Sequence, residues 1–181
     1  MRARLMPGLA AAFGLLVAFG CAPVDHPPTT ERPSGEPRQD FARAVELQRQ
    51  GEHVMSVAFF RAAAEAESQE PGIHVELAKA LHNASIQMGF SGHGVRYAVA
   101  RSQDRARLRN DALVEIDRAL ELARDPSDQA AMWLVRARVL ELSGYVADAS
   151  ASADRALALV PRDATVQAWR ARLDARLRAG H

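Results

Sequence analysis

Apolar residues recur along this chain every three or four positions, with polar residues between them. That spacing places them on one side of an α-helix. Phe41, Ala44, Val45 and Leu47 predict a helix from Phe41 to about Gln50, with Asp40 as its N-cap and Gly51 as its breaker. A second helix follows from about Glu52 to Ser68, with Val54, Val57, Ala58, Phe60, Ala63 and Ala64 facing inward. Pro71-Gly72 mark the next boundary. Ile73, Leu77, Leu81, Ala84 and Met88 then form a stripe at near-helical spacing, with Ala78 beside it. Asp125-Pro126 places an N-cap before a proline in the first turn, followed by Asp128. The helix after it carries Met132, Trp133, Val135, Ala137 and Leu140 and stops at Gly144. The next helix ends at Pro161, and a last one runs from about Ala164 to Arg178. No run alternates apolar and polar residues with β-branched enrichment, so the expected fold class is all-α.

The hexapeptide Asp117-Arg118-Ala119-Leu120-Glu121-Leu122 returns 37 residues later as Asp154-Arg155-Ala156-Leu157-Ala158-Leu159. A period in the thirties, carried on helical spacing with small residues, points to a helix-hairpin solenoid. Trp133, Ala137, Leu140, Gly144, Ala149, Ala156 and Pro161 stand at the spacing of the tetratricopeptide repeat family, which residues 130–161 resemble. Gly51, Phe60 and Ala63 resemble a first repeat. Leu77, Ala78 and Leu81 with Ala112, Ile116 and Ala119 resemble a split middle one. Ala78 to Ala119 is 41 residues where Ala137 to Ala156 is 19, so an insertion of about 22 residues lies at about 86–107. The resemblance implies about three such repeats and a C-terminal capping helix bearing Ala168, Trp169, Ala171 and Leu173.

The N-terminus sets an expected compartment. Arg2 and Arg4 precede the mostly apolar stretch Gly8–Gly20, which is 13 residues long and ends at Cys21, the only cysteine. This is too short for a span of ~20 residues and suits a secretory signal. Gly20-Cys21 resembles the lipobox of bacterial lipoproteins, which implies residues 1–21 as a signal peptide and Cys21 as the lipidation site. Ala18-Phe19-Gly20 also fits an ordinary signal cleavage, with release into the periplasm. By analogy with enterobacterial lipoprotein sorting, the absence of Asp at Ala22 favours the outer membrane. Five prolines between 22 and 38 make that stretch a partly extended linker, leaving 39–181 as one helical domain.

Without Arg2 and Arg4 the chain carries 21 basic against 22 acidic residues, a formal charge of −1. No basic excess argues for nucleic acid. There is no Cys–His pair, Gly-x-Ser-x-Gly elbow, P-loop or dinucleotide fingerprint, so neither an enzyme nor a cofactor nor a metal is expected. The repeat resemblance instead implies a concave protein-binding groove. Its positions fall on Gln48 and Arg49, on Lys79, His82 and Asn83, on Leu134, Arg138 and Glu141, and on Arg172 and Arg176. This line leans basic and suits a peptide with acidic groups, although solvated surface charge is the plainer reading. The insertion adds Arg96, Tyr97, Arg101, Arg105 and Arg109, either a solvated helix face or a patch for an acidic partner. The expectation is a lipid-anchored adaptor at the outer membrane, facing the periplasm and binding an envelope protein. It is similar in plan to repeat lipoproteins that assist secretins and pili or gather peptidoglycan enzymes. The alternatives are a small-ligand or glycan sensor, with Trp133 and Trp169 for stacking, and a self-associating structural protein.

Overall fold

The computed structural model describes residues 31–90 and 95–180, with side chains described for 31–87 and 103–180. The signal stretch, Cys21, the linker to residue 30 and the glycine-rich run 91–94 lie outside the described residues. Those described form seven helices and no strand. They are α1 (Pro37–Arg49), α2 (His53–Ala66), α3 (Pro71–Phe90), α4 (Val95–Leu122), α5 (Pro126–Leu142), α6 (Val146–Leu159) and α7 (Ala164–Arg178). Each helix packs chiefly on its neighbour in the chain, giving hairpins α1/α2, α3/α4 and α5/α6 with α7 laid on α6; α3 also touches α5.

The hairpin turns follow from glycine. Gly51 and Gly144 have φ of +81° and +89°, a region where a Cβ is costly and glycine is not. Gln87 of α3 steadies the first turn, donating to the Gly51 carbonyl at 3.0 Å and accepting from the Val54 N–H at 3.3 Å. The extra residues of the middle hairpin are mostly helical: α3 has 20 residues and α4 has 28, against 13 to 17 in the others.

Two helices start by one device. Asp125 accepts from the N–H groups of Ser127 and Asp128, and Asp163 accepts from those of Thr165 and Val166. Four residues on, Gln129 and Gln167 each donate back to a carbonyl before the helix, Ala123 and Pro161, at 2.8 Å. The side chains thus satisfy donors and acceptors that a helix end leaves bare. The echoed hexapeptide also repeats an ion pair. Asp117 of α4 accepts from Arg136 of α5 at 2.9 Å, and Asp154 of α6 accepts from Arg170 of α7.

The first helix begins earlier than its pattern predicts. Pro37 opens α1, and Asp40, expected as the N-cap, lies inside its first turns. Its buried carboxylate reaches back to the Ser34 N–H (2.7 Å), the Ser34 hydroxyl (2.9 Å) and the Gly35 N–H (3.0 Å). Burial alone would raise its pKa; the three hydrogen bonds outweigh that and hold it below the usual carboxylate value. Asp40→Ala should cost about 1–2 kcal/mol, by analogy with lost caps, measured by urea unfolding at neutral pH. Because the folded pKa is depressed, Asp40's contribution is present above the unfolded value of 3.8 and is lost as pH falls through the folded one. A wild-type-minus-variant difference that does not shrink below pH 4 would contradict the assignment.

The largest core cluster joins α1 to α5. Leu47, Phe60, Leu77, Leu81 and Ile116 are buried within it, and Phe41 packs its edge on Phe60 at 5.4 Å between centroids and 75° between planes. A second cluster sets Ala137, Leu140, Ala149 and Ala153 against Leu173 of α7. Buried alanines at helix contacts let backbones come close, as the small residues in the sequence imply. The pattern reading of α2 needs correction. Val54 and Ala58 are exposed, and Phe59, not assigned inward, is buried. The helix lies between α1 and α3 and buries a wide arc, whereas a single stripe through Phe60 covers only part of it.

Candidate functional site

The expected groove residues divide into three groups in the structure. Arg49 stands apart on α1, exposed and 3.9 Å from Glu46 of the same helix. Lys79 is half-buried and donates to Glu76, one turn back on α3, at 2.7 Å; Asn83 beside it is half-buried. His82, Arg138, Glu141, Arg172 and Arg176 belong to two adjoining steps between helices, α3 to α5 and α5 to α7.

In the α5–α7 step Glu141 is not an open groove acid. It is 6 % exposed and accepts from both Arg172 and Arg176, the latter at 2.8 Å. Arg172 also stacks on Trp169, with its guanidinium carbon 3.9 Å from the ring centroid. A buried carboxylate with two guanidiniums is compensated in charge and hydrogen bonding, which is what permits its burial. These residues therefore tie α7 down as well as line a surface.

The α3–α5 step is the opposite case. His82 is 3 % exposed, and neither ring nitrogen has a hydrogen-bond partner. Burial, then the charges of Arg138 on α5 and Arg109 on α4, push its pKa down to about 4. Arg138 is exposed, while Arg109 is half-buried and held below its usual range by burial and by neighbouring Arg105. The Nε of Arg105 is buried without a partner. No carboxylate pairs with Arg105, Arg109 or Arg138 among the described residues.

The insertion is thus not one uniform basic patch. Arg96, Tyr97 and Arg101 fall on the first turns of α4, and their side chains lie outside the described residues. Arg109 acts on His82, and Arg105 acts on Arg109. Asp104 and Arg107 instead border an open cleft of about 400 Å³ with Val57, Ala58 and the Arg61–Asp111 ion pair.

The other chemistry-bearing groups are engaged elsewhere. His74 bonds Glu115 at 2.7 Å and faces the Ser68 carbonyl at 3.1 Å, joining α3 to α4. No group of three or more His, Cys, Asp or Glu gathers as a metal set among the described residues. Trp133 borders a polar cleft of about 360 Å³, with Arg155 over its ring at 4.6 Å and Arg136 at 5.6 Å. No helix among the described residues is long and apolar enough to cross a membrane. No protein-family model matches this chain, and no curated protein matches it.

Sequence reasoning placed His82 and Arg138 near one another and missed Arg109 as their third member, assigning it to the insertion. The signal was present in the spacing: Arg105 and Arg109 are four apart on one helical face, two turns before Ile116 of the core.

Proposed function

We propose that the chain is an envelope adaptor: a lipid-anchored helical-repeat protein that docks a segment of another envelope protein across α3, α5 and α7. The observation that carries this reading is the joining of residues from three helices, distant in sequence, in two neighbouring charged steps along the expected groove line. The resemblance of the hairpins to tetratricopeptide repeats supports it, because stacked hairpins offer a surface rather than an enclosed reaction centre. The Gly20-Cys21 junction supports the anchor. Two or three acyl chains, at about 0.8 kcal/mol per buried methylene, would hold the protein firmly where one would not.

The tests are direct. Photo-reactive residues replacing Arg138 in the groove and Arg105 at the insertion should each be tried in crosslinking from the native envelope. One dominant captured protein is the expected result. An intact, membrane-bound chain that captures no specific protein would overturn the adaptor reading and favour a small ligand. For the anchor, Cys21→Ala should leave unprocessed precursor or release the protein from membranes, read by fractionation. Unchanged processing and retention would remove the lipid from the proposal. A sugar sensor using tryptophan stacking is the weaker reading, because a guanidinium already occupies a face of both Trp133 and Trp169.

A further inference from the structure

Two successive steps of the molecule are built on equivalent positions. Ala78 and Leu81 of α3 stand 59 residues before Ala137 and Leu140 of α5, and by the same offset His82 corresponds to Glu141. Arg136 and Arg138 of α5 stand 34 residues before Arg170 and Arg172 of α7, and Arg136 and Arg170 make equivalent ion pairs to the echoed aspartates. In the later step Glu141 supplies a carboxylate to Arg172 and Arg176. In the earlier step the position of that carboxylate holds an imidazole, and the guanidiniums acting on it have none.

We propose that His82, Arg109 and Arg138 form a notch that receives a carboxylate group from the docked protein segment. The inference rests on the adaptor reading and names the chemistry the partner brings to that site. Three independent observations point to a missing anion. His82 is buried with two unpartnered ring nitrogens, a state that costs free energy unless something fills it. Arg109 is half-buried without a carboxylate, and Arg105 beside it keeps a buried, unpartnered Nε. The equivalent step one repeat on is completed by a carboxylate of the chain itself.

The donors suit the ligand. A guanidinium presents a planar fork of N–H groups that matches two carboxylate oxygens. Arg138 is exposed and meets the incoming group first. Arg109 approaches from α4, and the imidazole lies deepest. The charges acting on His82 come from Arg138 of α5 and Arg109 of α4; on its own helix Lys79 is neutralised by Glu76. Burial first, and then two positive charges, keep the ring neutral; a carboxylate set among them offsets those charges. The imidazole then takes one proton from the buffer acid, leaving its conjugate base in solution, becomes imidazolium and donates to the carboxylate. Docking is therefore coupled to the uptake of one proton.

The probe is an acetylated, amidated triglutamate peptide, with its triglutamine counterpart as the neutral control, titrated into the full-length chain near pH 6. Calorimetry in two buffers of different ionisation enthalpy counts protons, and NMR follows the His82 ring. Triglutamate should bind at least about tenfold tighter than triglutamine, shift the His82 resonances and take up a proton. Arg138→Gln and Arg109→Gln should each weaken it about tenfold, whereas Arg178→Gln, on an exposed end of α7, should not. His82→Leu should abolish the proton uptake. Triglutamine binding as well as triglutamate, or triglutamate affinity unchanged in folded Arg138→Gln and Arg109→Gln, would overturn the notch. Inorganic phosphate binding about tenfold tighter than triglutamate at the same residues would also overturn it, in favour of a phosphate ligand. Protein capture at position 138 without triglutamate binding would leave the adaptor reading standing and remove this inference alone.

Discussion

Phe60→Ala should remove about 3–5 kcal/mol of stability, the range for emptying a buried aromatic site. Phe60 has no exposed surface and lies in the cluster that joins the first five helices. Its neighbours Leu47, Leu77, Leu81 and Ile116 come from α1, α3 and α4, so no single helix can shift to refill the space. The edge contact with Phe41 is lost as well, adding about 0.5–1.5 kcal/mol of aromatic pairing to the area term. Against a total stability of about 5–15 kcal/mol for a domain, this brings the chain close to unfolding. The measurement is the urea midpoint of Phe60→Ala beside Val114→Ala, where Val114 is 65 % exposed. The exposed change should stay within about 0.5 kcal/mol. A Phe60→Ala loss below about 1 kcal/mol would show that the α1–α5 cluster is not the structural centre.

The sequence carried the helices because their signals are local. Asp125-Pro126, Gly51 and Gly144 each act within a few residues, and the structure uses each as a boundary. The last helix, Ala164–Arg178, keeps both of its expected ends. Asp40 was misassigned for a specific reason. Pro37 supplies a helix-compatible φ three residues earlier, and the Asp40 side chain then serves the chain before the helix rather than the helix itself.

What the sequence could not show is pairing between helices. Arg138, Arg172 and Arg176 look alike in a string, each an arginine on a polar face. Only the approach of α7 to α5 reveals that two of them are neutralised by Glu141 while the third is not. Likewise Glu141 and His82 both read as groove polar residues, yet both are buried, one compensated and one not. The helical part of the insertion belongs to α4, which starts at Val95, and through it Arg109 comes to act on His82 of α3. Charge in the sequence marks where an interaction can occur; burial and neighbours decide whether it is already satisfied.

The same uncompensated step makes stability depend on pH in the mildly acidic range. His82 has a folded pKa of about 4 against 6.5 for the free side chain. Between those values the unfolded chain binds a proton that the folded chain refuses, so protonation favours unfolding and stability rises with pH. The penalty is absent well above pH 6.5, grows as pH falls through the window and is complete below about 4. At 1.36 kcal/mol per pKa unit it amounts to something on the order of 3 kcal/mol. His82→Leu removes the titrating group and its two unpartnered nitrogens while keeping an apolar side chain in place. Replacing a buried, unpaired polar group this way is close to neutral or stabilising. The variant should therefore match or exceed the wild type at pH 7.5 and exceed it by roughly 3 kcal/mol at pH 4, by urea unfolding across that range. Taking the difference between the two curves removes the contribution of the carboxylates, which both proteins share. Parallel curves would mean that the His82 ring is hydrated or paired in solution and that Arg109 and Arg138 do not act on it. Divergent curves that draw together when triglutamate is added would show the added carboxylate relieving the repulsion that burial and two arginines impose on this ring.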